Sequence, residues 1–168
     1  MSELLLTTSL LQPAKLYPNK PALVCGETSY SYRQFLDRVY RLANGLAGLG
    51  LAKGDRVATL MLNCHRYLEM YYGTAFAGLV VNPLNIRLAP PELIYILNDS
   101  ASLALAVDDA FLPRLEAIKG QLPTVSKLIY VGSGNAPEGM IHYETLLENS
   151  PSTAPRVDLR EDDLAGIF

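Results

Sequence analysis

The amino-acid sequence predicts an α/β protein: an open, mostly parallel, doubly wound sheet flanked by helices, with an N-terminal helix and a β-hairpin ahead of it. Three observations carry this. Short runs rich in Val, Leu and Ile cover 56–62, 79–82, 103–107 and 127–131, and their starts lie about 24 residues apart, the length of a strand plus a crossover helix. Helix candidates at 64–77, 90–98 and 111–119 lie between them. The runs show little polar alternation, as expected of parallel strands covered on both faces.

Each element follows from its residues. Leu10, Leu11 and Ala14 repeat at helical spacing within 7–16, interrupted by Pro13 and closed by the turn signal Tyr17-Pro18-Asn19. Strand formers at 22–25 and 28–31 flank Gly26-Glu27, and glycine at the first turn position predicts a type II′ hairpin. Ser31 and Gln34 then form a capping-box pair. The helix they open carries an apolar stripe of Phe35, Leu36, Val39, Leu42, Ala43, Leu46 and Leu49, predicted to pack on the sheet. Arg33, Asp37, Arg38, Arg41 and Asn44 occupy its other face, and Gly50 ends it.

The helix at 64–77 is apolar nearly all round beyond Glu69, which predicts a central, buried position. Pro90 suits a first helical turn, but Ala89 before it cannot accept a capping hydrogen bond, so that end is expected to fray. A surface loop is predicted at 132–139, a short helix at 142–149 and a Ser/Thr/Pro linker at 150–155. Residues 162–168 read as a polar lead-in to a buried strand that stops midway, so the chain is expected to be a piece of a longer polypeptide.

Composition narrows the function classes. At 49% hydrophobic residues the chain can build a core, and 14 Lys and Arg against 17 Asp and Glu provide no positive field for nucleic acid. Cys25 and Cys64 match neither a disulfide framework nor a cysteine zinc site, and no apolar run is long enough to span a bilayer. Glu3, Thr7, Thr8 and Ser9 spoil a signal-peptide reading of the start, so a cytoplasmic location is expected.

Ligands of open parallel sheets sit beyond the carboxyl ends of the strands. Those loops hold Asn63 and Cys64, the segment 83–87, Asp108-Asp109 and Gly132-Ser133-Gly134. No complete catalytic set and no metal site emerges. The glycine loop lacks the third glycine and following helix of a dinucleotide fingerprint, which favours an ordinary loop. Cys64 beside His65 at a helix start could be a reactive thiolate, but a small core-facing cysteine fits better. His65 and His142 suit surface or capping roles. Asp108-Asp109 could bind magnesium or accept a phosphoryl group, and a helix N-cap explains the pair more simply. By position alone, Arg87 is a solvated or ion-paired arginine.

Four segments together resemble one family: 29–35 (SYSYRQF), 54–58 (GDRVA), 77–85 (AGLVVNPLN) and 92–100 (ELIYILNDS). They are similar, in order and spacing, to motifs of the adenylate-forming (AMP-binding) enzymes, and most similar to those of bacterial fatty-acid-CoA ligases and related acyl or aryl acid ligases. The resemblance implies that 1–168 is the N-terminal part of the large domain of an acyl-CoA synthetase, ending just before the ATP phosphate-binding loop. The complete enzyme would use ATP, Mg²⁺ and coenzyme A to activate a fatty or aryl acid, whereas this stretch alone would be inactive, with no catalytic residue and no cofactor of its own. It also implies that Arg87, at the matching place of an Asn-x-Arg segment, could contact a phosphate of coenzyme A, and that a homodimer could form through this part of the chain. The competing reading is a freestanding α/β small-molecule-binding or regulatory module whose ligand sits over Asn63, Asn85 and Gly132.

Overall fold

The computed structural model describes residues 5–168. Helix α1 (Thr8–Leu16) leads into the antiparallel hairpin β1 (Pro21–Cys25) and β2 (Thr28–Ser31). Gly26 has φ +59°, as the first position of a type II′ turn requires. The chain continues through α2 (Tyr32–Gly48), β3 (Arg56–Leu60), α3 (His65–Phe76), β4 (Val80–Pro83), α4 (Pro90–Asp99), β5 (Ala104–Val107) and α5 (Leu112–Ile118). It then forms β6 (Lys127–Tyr130), β7 (Ile141–His142) and α6 (Tyr143–Glu148). Strands β3 to β7 make a parallel sheet in the order β4-β3-β5-β6-β7. Because β4 lies on one side of β3 and β5 on the other, the winding reverses between β3 and β5.

Alternate side chains of each strand enter two separate cores. Val57, Met61, Ala104, Ala106 and Ile129 join the stripe of α2 with Met70 and Phe76 of α3 and Tyr143 of α6. Ala58, Leu60, Leu105 and Val107 join Leu93 and Leu97 of α4 with Leu115 and Ile118 of α5. This two-sided covering is why the strands carry no polar alternation. Both halves of the Ser31 capping box form: the Gln34 amide donates to Ser31 Oγ at 3.3 Å and the Ser31 amide to Gln34 Oε1 at 2.9 Å.

Several expectations change. The stripe of α2 meets the sheet but packs chiefly along α3, where Gly73 leaves Leu42 its space: a Cβ there would lie 2.5 Å from Leu42 Cδ2. Ala89 caps nothing, yet Glu92 supplies half a capping box, its Oε2 accepting from the Ala89 amide at 2.7 Å, so α4 starts at Pro90. Strand β7 (Ile141–His142) lies between the predicted loop and helix and takes the residue where the helix was predicted to start; two residues are too few to show a period. The strand expected to be buried at 162–168 is one parallel bridge, Val81 to Gly166, on the outer edge of β4, with Phe168 92% exposed. The backbone pairing extends only from Ala165 to Ile167, and Phe168 lies past it with its ring stacked on Tyr71 at 6.4 Å.

Candidate functional site

Across the carboxyl edge of the sheet, the switch point between β3 and β5 is closed by the chain's own bonds. Asp108 Oδ2 accepts from the Leu62 amide at 2.7 Å, and Oδ1 accepts from the Ala110 amide at 3.0 Å. This carboxylate ties two strand ends together and caps the following 3-10 turn, the capping role expected of it.

Asp109 is committed too. Its Oδ1 accepts from the Tyr130 hydroxyl at 2.5 Å and its Oδ2 from the Ser133 amide at 3.3 Å, while the Gly134 amide donates to Tyr130 Oη at 3.1 Å. The hydrogen bond to Asp109, with burial second, holds the Tyr130 phenol above its ordinary pKa. A Cβ on Gly132 would sit 2.4 Å from Asp109 Oδ1, so a larger residue here would have to push the Asp109 carboxylate aside. The glycine loop thus wraps a carboxylate of its own chain, and a phosphate placed there would meet Asp109 as a like charge. Both aspartates are engaged by their own chain, and no group of three or more metal-ligating side chains occurs among the described residues.

A cavity of about 280 Å³ remains at this edge, lined by Leu62, Cys64, Arg66, Asp108, Asp109 and Ser133 among others. Of the three residues of the binding-module reading, Asn63, Asn85 and Gly132, Gly132 lines this cavity and Asn85 lines a different one. Cys64 stands at the N-cap of α3 and packs partly against the core. His65 beside it lies edge-on to Tyr30 at 5.7 Å, and burial lowers its proton affinity. His142 caps α6, its Nδ1 accepting from the Thr145 amide at 3.4 Å.

A larger cavity, about 680 Å³, flanks the outer side of β4. Leu84, Leu88, Ile96, Ile167 and Phe168 make it mostly apolar, and Asn82, buried, donates from Nδ2 to Ser100 Oγ at 3.0 Å and Ser102 Oγ at 3.2 Å. Arg56 closes one end by donating to the carbonyls of Ser100 and Ala101, which neutralises the carboxyl end of α4. Arg87 follows an Asx turn in which Asn85 Oδ1 accepts from the Arg87 amide at 3.0 Å. Its side chain is exposed and has no ion pair or hydrogen bond among the described residues, so the guanidinium is solvated.

One group escaped the sequence reading. Arg38, assigned there to the solvent face of its helix, donates to Glu69 at 2.6 Å and to Glu144 at 2.9 Å. Glu69 is 0% exposed and also accepts from the buried Tyr143 hydroxyl at 2.7 Å. Arg66 pairs with Glu144 at 2.7 Å and donates to the Val131 carbonyl. This network joins α2, α3 and α6, with Arg66 also lining the cavity at the carboxyl edge. Its one visible signal was a glutamate inside an otherwise apolar helix.

The sheet order is that of doubly wound α/β proteins that place ligands at the carboxyl edge. The profile of the AMP-binding enzyme family matches residues 10–168, and the chain belongs to that family. It is 41% identical over 127 residues to a long-chain-fatty-acid–CoA ligase of Thermus thermophilus, a stretch that is 74% of this chain and 23% of that protein. The crystal structure of the anthranilate CoA ligase AuaEII with anthranoyl-AMP superposes on 98% of this chain and 32% of its own, with a TM-score of 0.93 at 27% identity. The N-terminal domain of FACL13 from Mycobacterium tuberculosis superposes with a TM-score of 0.86 at 31% identity, covering 99% of this chain and 41% of its own. The chain therefore spans between about a quarter and two fifths of these relatives. No helix among the described residues is long and apolar enough to cross a membrane.

Proposed function

We propose that residues 1–168 are the N-terminal part of the large domain of an AMP-forming acid–thiol ligase, with a fatty acid as its substrate. In that reaction a carboxylate oxygen bonds to the α-phosphorus of ATP and pyrophosphate leaves. The coenzyme A sulfur then bonds to the acyl carbon and AMP leaves. Mg²⁺ would neutralise the triphosphate during the first step. Positioning and charge neutralisation at phosphorus supply most of the acceleration.

The observation that carries the reading is the parallel bridge of Gly166 to Val81, which directs residues 165–167 along β4 towards the carboxyl edge, where ligands of this fold bind. The fatty acid is favoured by the name of the Thermus relative, while the anthranilate ligase keeps an aryl acid in play. Arg87 is proposed to hold a phosphate of coenzyme A, a role favoured by its exposed, uncommitted guanidinium at that edge. The described residues offer Mg²⁺ no free carboxylate pair at that edge, so no step is assigned to them through it.

The isolated chain is expected to release no pyrophosphate with ATP, Mg²⁺ and fatty acids of any length. A longer polypeptide encoded by the same reading frame is expected to do so. Turnover by the isolated chain above a blank without protein, or a stop codon directly after Phe168, overturns the proposal. A cytoplasmic location and self-association belong to the same reading. The second is supported by the exposed Leu164 and Phe168, and a clean monomer in sedimentation at micromolar concentration would count against it.

A further inference from the structure

Residues 149–165 contain no helix or strand, yet they are tied down along their length. Asn44 Nδ2 donates to the carbonyls of Pro151 and Thr153, each at 2.8 Å. Further on, Val157 and Leu159 pack over Gly78, where an added Cβ would meet Val157 Cγ1 at 2.9 Å and Lys53 Cγ at 3.1 Å. Lys53 then makes the last fastening: its Nζ donates to the Asp158 carbonyl and pairs with Asp163 Oδ2, both at 2.6 Å. The same oxygen accepts from the Arg160 amide at 2.7 Å and closes a turn.

Two residues beyond Asp163, the edge pairing begins. The Val81 amide donates to the Ala165 carbonyl at 3.1 Å, and the Ile167 amide to the Val81 carbonyl at 2.9 Å. Two backbone bonds on an open edge contribute too little by themselves to order a chain end against its own entropy. Lys53 precedes β3, which pairs directly with β4, so an ammonium fixed to the sheet holds the strap immediately before it reaches β4.

We propose that Lys53 is a positioning residue: it fastens the strap at Asp158 and Asp163 and so seats residues 165–168 on the edge of β4. The consequence for catalysis rests on the ligase reading above, in which the triphosphate-binding segment follows Phe168. Lys53 then determines where that segment starts, without touching the nucleotide itself.

Amide hydrogen exchange on the isolated chain tests this directly. Lys53→Met keeps the stem that packs near Gly78 but removes the ammonium. Protection of the Val81 and Ile167 amides is expected to fall about tenfold, in line with loss of a charge-assisted bond, while the Ala58 and Leu105 amides in the sheet centre keep theirs. Lys53→Arg should stay within about threefold of the unaltered chain, since it keeps the charge. Unchanged protection at Ile167 in Lys53→Met overturns the proposal, and so does an equal loss at Ala58, which would mark a global effect. In the longer polypeptide, Lys53→Met should raise KM for ATP and leave KM for the acid unchanged. An unaltered KM for ATP overturns the positioning role in catalysis. If the longer polypeptide forms no acyl-AMP at all, the ligase reading fails, and the exchange result alone decides the role of Lys53.

Discussion

Arg38 on α2 and Glu69 on α3 form an ion pair at 2.6 Å in which the carboxylate is wholly buried. Burial opposes the charge on Arg38, but the hydrogen bonds and charges of Glu69 and Glu144 outweigh it and raise its pKa. We expect Arg38→Met to destabilise the fold by about 3–5 kcal/mol, because it strands Glu69 with Tyr143 as its only remaining partner. Tyr143→Phe should cost about 1–3 kcal/mol. Urea denaturation of the two single variants and the double variant should show coupling, and strict additivity would show that the three groups do not act as one network.

Gly73 tests two opposing effects. Alanine is the better helix former by about 1 kcal/mol, but its methyl would lie 2.5 Å from Leu42 Cδ2. Overpacking a tight contact costs about 1–3 kcal/mol, so Gly73→Ala should lower the thermal midpoint. Adding Leu42→Val, which shortens the opposing side chain, should recover part of the loss. A Gly73→Ala variant as stable as the unaltered chain would mean that α2 and α3 can move apart freely.

Ala89→Ser should complete the capping box that Glu92 half forms, and stabilise the chain by about 0.5–1 kcal/mol. The gain should be absent in Ala89→Val, since valine brings no side-chain acceptor. Urea midpoints of the three proteins check this.

Stability should fall at both ends of the pH scale. Burial tends to raise the pKa of Glu144, but hydrogen bonds from Arg66 and Arg38 prevail and hold it below its ordinary 4.5. The Lys53 ammonium and the Arg160 amide hold Asp163 below 3.8. A depressed carboxyl stabilises the native state above its unfolded pKa, and this contribution is lost as pH falls through the native value. His65, whose proton affinity burial lowers, adds a loss of stability as pH falls below its ordinary 6.5, so denaturant midpoints should begin to decline there and fall further below about 4.5. Tyr143, raised well above 10.0 by burial and by Glu69, has the opposite sign: its contribution is intact below 10.0 and lost at higher pH. Glu144→Gln should weaken the acid decline, and Tyr143→Phe the alkaline one.

Much of this architecture was legible from residue order. The Ser31 and Gln34 pair marked the start of α2, Gly26 marked the hairpin turn, and four β-branched and leucine-rich runs marked four strands of the sheet, because each signal acts over a few neighbouring residues. The glycine loop and Asp108 also matched their plainer readings, as a loop and a cap. Arg38 did not. It lies on the polar face of its helix by spacing, and only the partners brought by α3 and α6 turn that face inward.

The sequence by itself determined the fold class, the family and the position of Arg87 in the loop after β4, since these depend on local periodicity and on motifs in a linear order. Tertiary structure alone decided that Glu69 is a buried anchor, that Asp109 fills the glycine loop, and that the stretch 149–165 is a fastened strap. Those outcomes depend on pairs separated by more than 20 residues. Whether a charge ends in water or against a partner is settled by desolvation and geometry after packing, and no spacing rule along the chain encodes it.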